Sequence, residues 1–179
     1  SYEAPFGSIQ QAIASLDTSS AAAAAATPIL VAGGLYDEAI RLVNGATIHG
    51  GYAPDFLSRD IVLFPTLVAA SAADLAPGNP GTVTAIGIDQ ATELVGFTIL
   101  GWDAVAAGAP SYALYVRDST SALRVSHGAI IGGRGGAGTP GANGGSGVGG
   151  GSGQNGVNSR ECANSNCTNG SETQAGGAG

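Results

Sequence analysis

Charged side chains on or beside the predicted strands are the first candidates for chemistry in this chain. They are Asp89, Asp103, Asp118, Arg117 and Arg124. Paired carboxylates can hold calcium or act as acid and base, but calcium needs six or more oxygen ligands and glycoside hydrolysis needs a fixed carboxylate separation. Here the acids stand singly in turns, where aspartate bonds to nearby backbone groups. The pattern therefore favours solvated turn residues over a catalytic or calcium site.

The two histidines are the next candidates. His49 and His127 occupy matching places in two similar phrases, 43–51 and 125–133, which predicts that they stack on neighbouring sheet positions. Without a cysteine or acidic partner at motif spacing, both are interpreted as ordinary turn or sheet-surface residues. The chain holds no lysine, which excludes Schiff-base chemistry and a P-loop lysine. We predict no catalytic residue, no metal site and no cofactor.

Aromatic side chains raise the question of sugar binding. The set comprises Trp102 and five tyrosines: Tyr2, Tyr36, Tyr52, Tyr112 and Tyr115. Such rings can form a stacking platform for carbohydrate, or they can pack within the fold. We favour the second interpretation, in which Tyr36 and Tyr52 seal the interior and Trp102 covers a loop.

Cys162 and Cys167 are the only cysteines, and they lie in a polar loop near the end of the chain. With no second pair and neither histidine nearby, the spacing favours a small local disulfide over a zinc site. A disulfide implies an oxidising compartment. The chain also begins without methionine, as a processed secreted protein would, and equally as an engineered or incomplete chain would.

A run of nine consecutive Gly-X-X triplets extends from Gly132 to Asn158, with Arg134 as its only charge. The triplet glycines are Gly132, Gly135, Gly138, Gly141, Gly144, Gly147, Gly150, Gly153 and Gly156. Period three matches a left-handed polyproline II helix, in which one face repeats every third residue and glycine allows a neighbouring chain to approach closely. We predict that these glycines form an assembly face. The alternatives are a flexible linker and a collagen triple helix, and the scarcity of proline disfavours collagen.

The residues before this run show a different pattern. Ser8 followed by Gln11 has the form of a capping box, which predicts a short amphipathic helix over about 8–16. The six alanines at 21–26 are of uncertain form. From Pro28 onward, short apolar runs broken by glycine and asparagine predict strands and turns. Three similar phrases, 43–51, 94–101 and 125–133, indicate an imperfect repeat, which suggests a solenoid of stacked parallel sheets.

Composition divides the chain into two parts. Residues 1–131 hold nearly all the large apolar side chains and the whole net charge of −7. We expect one domain over 1–131 and a glycine-rich segment with a disulfide loop over 132–179. The cations are not clustered as nucleic-acid binding requires, and no stretch approaches the roughly 20 apolar residues that span a membrane.

The phrases at 29–38, 48–52 and 56–60, which follow the predicted opening helix, resemble the first coils of bacterial surface proteins with a pectate-lyase-like right-handed parallel β-helix. The resemblance covers about residues 5–133. It implies an all-β fold with an N-terminal capping helix, to which the polyproline II-like extension is added. Polysaccharide lyases of this fold use carboxylates, often with calcium, and an arginine base.

These expectations together indicate an extracellular or cell-surface structural protein. We expect self-association through the glycine-rich segment into a filament, sheath or adhesive layer, with extracellular polysaccharide as a further partner. The alternative is a carbohydrate-active β-helix enzyme. An ice-binding protein is a third reading, which the absence of a regular threonine array disfavours.

Overall fold

The computed structural model describes residues 5–71, 74–75 and 80–153. Over these ranges the chain is mostly β, with short strands and two short helices, which confirms the predicted β class. The helices are α1 (Ile9–Ala14) and α2 (Ala21–Ala25). The strands are β1 (Ile29–Ala32), β2 (Gly34–Asp37), β3 (Ile40–Arg41), β4 (Thr47–Tyr52), β5 (Thr66–Ala69), β6 (Val83–Ile86), β7 (Thr92–Val95), β8 (Phe97–Leu100), β9 (Leu114–Arg117), β10 (Leu123–Ser126) and β11 (Ala129–Ile131).

Helix α1 forms where the capping pattern predicted a helix. The Ser8 hydroxyl accepts a hydrogen bond from the Gln11 backbone N–H at 3.1 Å, which satisfies one of the free amides of the first turn. The Glu38 carboxylate accepts two more, from the backbone N–H groups of Ile9 and Gln10 at 2.8 and 2.9 Å. Glu38 therefore fastens the start of α1 to the turn after β2.

Helix α2 settles the form of the alanine run that the sequence left open. Ser20 caps it by accepting a hydrogen bond from the Ala23 backbone N–H at 3.1 Å. Ala24 is fully buried. Gly45 lies so close to the backbone of Ala21 that a Cβ atom at position 45 would overlap the Ala21 carbonyl oxygen. The alanines of α2 and the glycine at position 45 therefore allow the helix to lie against the turn before β4.

Every third strand joins the same sheet, so the chain visits three sheets in turn and then returns to the first. The first sheet has the order β1-β4-β7-β10, the second β2-β5-β8-β11 and the third β3-β6-β9. The strand pairs in these sheets are parallel. One row of the first sheet runs through Ile29, Ile48, Leu94 and Val125.

The core lies between the three sheets, because alternate residues of each strand point inward. Strands β1, β5, β7 and β8 each alternate buried and half-buried positions. Buried threonines among the aliphatic residues are hydrogen-bonded: Thr66 accepts from the Gly51 N–H at 2.8 Å, and Thr82 donates to the Leu100 carbonyl at 2.6 Å. At one end, α1 packs against β1 and β3 and adds Ile9 and Ile13 to the core.

Sequence reasoning missed two strands and misaligned one repeat. Strand β2 begins directly after Gly33, where two glycines had predicted a break, and β5 was not predicted. The phrases at 94–101 and 125–133 are in register, since Leu94 pairs with Val125 and Ile99 with Ile130. The phrase at 43–51 is shifted, because Ile48 pairs with Leu94 rather than lying level with Ile99. Ile48 and Ile99, which match in the two phrases, therefore lie in different sheets.

The strands belong to one compact unit that reaches Thr139, and a second unit begins at Pro140. The first unit thus includes the opening residues of the glycine run. In the second unit, residues 140–153 contain no helix, strand or turn and are exposed.

Candidate assembly site

The three candidate aspartates make local structural contacts. Asp89 Oδ1 accepts from Asn44 Nδ2 at 3.0 Å, and Asn44 Oδ1 in turn accepts from the Asp89 N–H at 3.0 Å. Asp103 Oδ1 accepts from the Arg134 backbone N–H at 2.7 Å. Asp118 pairs with Arg117 at 3.2 Å on the exposed surface. The contacts of Asp89 and Asp103 join segments that are distant in sequence, whereas that of Asp118 joins two consecutive residues.

The structure brings only part of the charged set to one place. Asp89 and Asp118 follow β6 and β9, which pair in the third sheet, so both lie at the corner between the third and first sheets. Asp103 follows β8, and Arg124 lies on β10 beside Glu93 of β7. Within the described ranges, no group of three or more His, Cys, Asp or Glu side chains is arranged to hold a metal ion.

The prediction that His49 and His127 stack was wrong. His49 on β4 pairs with Val95 on β7, and Val95 pairs with Ser126 on β10. His49 is therefore level with Ser126 rather than with His127, and β7 lies between β4 and β10. His127 instead aligns with Gly96, the one-residue turn between β7 and β8. Both residues have a left-handed backbone, with φ of 54° at His127 and 82° at Gly96. His127 is therefore a corner residue in a conformation that suits glycine.

The described aromatic side chains fall into separate places rather than one platform. Tyr36 is half-buried and donates to the Ala32 carbonyl at 3.1 Å. Burial, followed by the nearby charge of Glu38, raises the pKa of the Tyr36 phenol above its usual value. Tyr52 lies 5.8 Å from the Arg59 guanidinium, and Tyr112 packs edge-on against a neighbouring tyrosine. Trp102 is half-buried, and Tyr2 lies outside the described residues.

A groove of about 260 Å³ lies between α1 and the first strands. Its walls are mainly apolar and include Phe6, Ile9, Leu16, Tyr36 and Phe56. Glu38 fixes the first turn of the helix at one end of the groove by accepting from the N–H groups of Ile9 and Gln10.

The glycine run begins as a direct continuation of β11 and follows the segment 101–109. Backbone hydrogen bonds join the two: Ala104 N–H donates to the Arg134 carbonyl at 2.8 Å, Gly108 N–H to Ala137 at 2.9 Å, and Gly136 N–H to Ala109 at 2.8 Å. The segment around Trp102 thus has the glycine run as its neighbour. The first triplets are packed within the compact unit.

Only some glycines of the run make the close approach. A Cβ atom at Gly133 would overlap the Trp102 carbonyl oxygen, and one at Gly136 would overlap the Ala106 carbonyl oxygen. At Gly132 and Gly138, by contrast, an added Cβ would meet nothing within 4 Å. The two packed glycines are three residues apart, and both are offset by one residue from the triplet glycines.

At the remaining described triplet glycines, at positions 141, 144, 147, 150 and 153, an added Cβ atom would meet no described residue within 4 Å. None of them has φ in the left-handed region, so their backbone is one that other residues also adopt. Their predicted contact with a second chain stays a prediction. Gly156, Cys162 and Cys167 lie outside the described residues, and so does the predicted disulfide loop.

The end of the stacked strands opposite α1 is the second notable surface. Ile130 is 53% exposed although it pairs with Ile99, which is fully buried. Val116 is likewise 48% exposed beside fully buried Ala85. Sequence analysis found these residues as strand residues and ended their domain at residue 131, but it gave no sign that their side chains are exposed. We call the surface formed by β9, β10 and β11 the open rung.

Comparison of the chain with family models, with curated proteins and with solved structures gave no match. Among the described residues, no helix is both long and apolar enough to cross a membrane.

Proposed function

We propose that this chain is a secreted or surface-displayed structural protein without enzymatic activity. Its strands form a right-handed parallel β-helix, and its glycine-rich segment packs against other copies to build an extracellular filament, sheath or adhesive layer. Support for the β-helix comes from the return of every third strand to the same parallel sheet, with α1 over one end. Such a solenoid gives a rigid base for an extended segment.

The observation that carries the proposal is the difference between the two faces of the glycine run. Gly133 and Gly136 face the chain's own backbone, with no room for a side chain. The described triplet glycines at positions 138, 141, 144, 147, 150 and 153 keep a period of three, and an added Cβ atom there would meet no described residue within 4 Å. Glycine costs backbone entropy wherever it is ordered, so a long regular row is favourable only if close packing uses it. A second copy supplies that packing.

An oxidising, extracellular setting fits the same proposal. Cys162 and Cys167 would close a short loop after the glycine run, and a disulfide there would persist only outside reducing compartments. The acidic charge of the first 131 residues would keep the β-helices apart in solution, so that contact is left to the neutral glycine-rich segment.

Matched glycine substitutions test the assembly face. The first variant replaces Gly141, Gly144 and Gly147 with alanine, which adds Cβ atoms to the triplet face. The control replaces Gly145, Gly149 and Gly151, which are equally open within the chain but lie off that face. Both variants change the same number of glycines, so their effects on unfolded-chain entropy match.

Light scattering during a rise in protein concentration is the readout. We expect wild type and the control variant to form large species and the face variant to stay small, because the added methyl groups prevent close approach. Equal behaviour of the two variants, or a wild type that never associates, would refute the proposed role of the glycine face.

A further inference from the structure

Four Asn-Gly pairs occur in this chain, and the structure describes two of them. They are Asn44-Gly45 in the turn before β4 and Asn143-Gly144 in the glycine run, whereas the pairs at 155–156 and 169–170 lie outside the described residues. Asparagine loses its side-chain amide most readily before glycine, because glycine has no Cβ atom to shield its N–H or to restrict the backbone. The two described pairs share this chemistry but have opposite surroundings.

The reaction joins the two residues of a pair. The backbone nitrogen of the glycine loses its proton and attacks Cγ of the asparagine, the Cγ–Nδ2 bond breaks, and Nδ2 leaves with a proton as ammonia. Water then opens the five-membered succinimide ring at either carbonyl, which gives aspartate or isoaspartate. Water is the only co-reactant, but the glycine nitrogen must come within about 3–3.5 Å of Cγ in the direction of attack.

Asn44 is held away from this arrangement by the fold. Its Nδ2 donates to Asp89 Oδ1 at 3.0 Å and to a backbone carbonyl at 3.3 Å, and its Oδ1 accepts from two backbone N–H groups of the turn after β6 at 3.0 and 3.2 Å. The attacking nitrogen is held as well, since the buried Gly45 N–H donates to Thr92 Oγ1 at 3.0 Å. Attack at Asn44 therefore requires local opening of this corner.

Asn143 has none of these restraints. It is exposed in a stretch without helix, strand or turn, and within the described residues neither its side chain nor the Gly144 N–H makes a hydrogen bond. An added Cβ atom at Gly144 or Gly145 would meet no described residue within 4 Å. The backbone around the reacting atoms can therefore rotate into the attack geometry without breaking a described contact.

We propose that Asn143 is a site of spontaneous deamidation, and that its products weaken packing through the triplet glycines. Deamidation itself follows from the contrast between the two pairs, whether or not the chain assembles. The effect on packing deepens the proposed function and rests on it.

Both products change the segment where packing is proposed. Aspartate adds a negative charge to residues 135–159, which hold no other charge. Isoaspartate adds the same charge and also continues the main chain through Cβ and Cγ, which inserts one backbone atom between Gly141 and Gly144. The glycines before and after it then no longer lie on one face that repeats every third residue. Like charges on neighbouring copies also repel, so both products favour separated copies.

Peptide mapping of the full chain by mass spectrometry tests the site. The folded protein is incubated in mildly alkaline buffer, in which the backbone nitrogen loses its proton more readily, and is then cut by trypsin. Peptide 42–59 reports Asn44 alone, and fragmentation of peptide 135–160 separates Asn143 from the other asparagines. We expect Asn143 to convert at least about 30-fold faster than Asn44, because the hydrogen bonds around Asn44 must open first.

Two controls show whether the fold causes this difference. In urea both pairs are exposed, so their rates should become similar. In the folded Asp89→Ala variant, Asn44 loses a carboxylate acceptor and should convert about 2- to 10-fold faster, whereas Asn143 should keep its rate. Comparable rates at Asn44 and Asn143 in folded wild type, or an Asn143 that stays intact, would overturn the site. A difference that persists unchanged in urea would refute protection of Asn44 by the fold.

Light scattering tests the effect on packing. Wild type and Asn143→Gln are compared before and after the same incubation, because glutamine keeps a side-chain amide but would have to close a larger ring. We expect both fresh proteins to form large species, and incubated wild type to lose them in proportion to the products at position 143. Deamidated wild type that associates as well as Asn143→Gln would overturn the effect on packing. Fresh wild type that never associates would refute the glycine face and that effect with it, while the mass spectra would still decide the site.

Discussion

Gly133→Ala probes the anchoring of the glycine run to the compact unit. A Cβ atom at position 133 would overlap the Trp102 carbonyl oxygen, so the run must move away locally. That movement breaks the two hydrogen bonds made by the next residue, Arg134. Its carbonyl accepts from the Ala104 N–H at 2.8 Å, and its own N–H donates to Asp103 Oδ1 at 2.7 Å.

The expected loss follows from these two bonds. Each contributes about 0.5–1.5 kcal/mol net, and the carboxylate bond falls at the upper end, although Asp103 is exposed. We expect a local destabilisation of about 1–3 kcal/mol. Since 1.4 kcal/mol corresponds to about tenfold in an opening equilibrium, the Ala104 amide should exchange with solvent about 10- to 100-fold faster.

Amide hydrogen exchange measured by NMR is the assay, and Gly132→Ala is the matched control. An added Cβ at position 132 meets nothing within 4 Å, so Ala104 should keep its protection in that variant. Amides in β4 and β7 should be unchanged in both proteins. Equal protection of Ala104 in the two variants would show that the run is not held by close approach at Gly133.

Three further changes have defined outcomes. His127→Gly should raise the free energy of unfolding by about 0.5–1 kcal/mol and Tm by a few degrees, because relief of the left-handed backbone exceeds the entropy cost of glycine. A lower Tm in calorimetry would contradict this. Glu38→Gln should lower the free energy of denaturant unfolding by about 1–2 kcal/mol, because one amide oxygen replaces two carboxylate acceptors at the start of α1. Asp37→Asn, at an exposed neighbouring residue, should change it little. Burial raises the pKa of the Tyr36 phenol, so the contribution of the neutral phenol to the free energy of unfolding is present below about pH 10 and is lost as pH rises through the higher folded-state value. Ultraviolet titration should show a late-ionising tyrosine that Tyr36→Phe removes.

The sequence predicted much of the local structure because its signals there are local. The Ser8 cap, the helix after it and most strands depend on neighbouring residues, and these were found. Strand β2 was missed because Gly33 and Gly34 signal a turn, and the turn is in fact a single residue. A side chain at position 33 would clash with the backbone of Phe64, so this glycine reflects a tertiary contact that a local pattern does not reveal.

Register and exposure could not be predicted, because both depend on which strands pair. The similar phrases placed His49 level with His127, whereas sheet pairing places His127 level with Gly96. The period of the glycine run was predicted, but the face that packs in the compact unit was not, since the positions of Trp102 and Ala106 decide it. The open rung is visible only from the exposure of Ile130 in a row in which Ile99 and Val68 are fully buried.

Electron microscopy of the full chain beside a chain that ends at Thr139 tests the central claim most directly. The shorter chain keeps the compact unit and the contacts of residues 132–137 with 101–109, but it lacks the open glycine face. We predict ordered filaments or large assemblies for the full chain, and no such assemblies for the shorter one. The same assemblies in both, or none in the full chain, would contradict assembly through the glycine-rich segment.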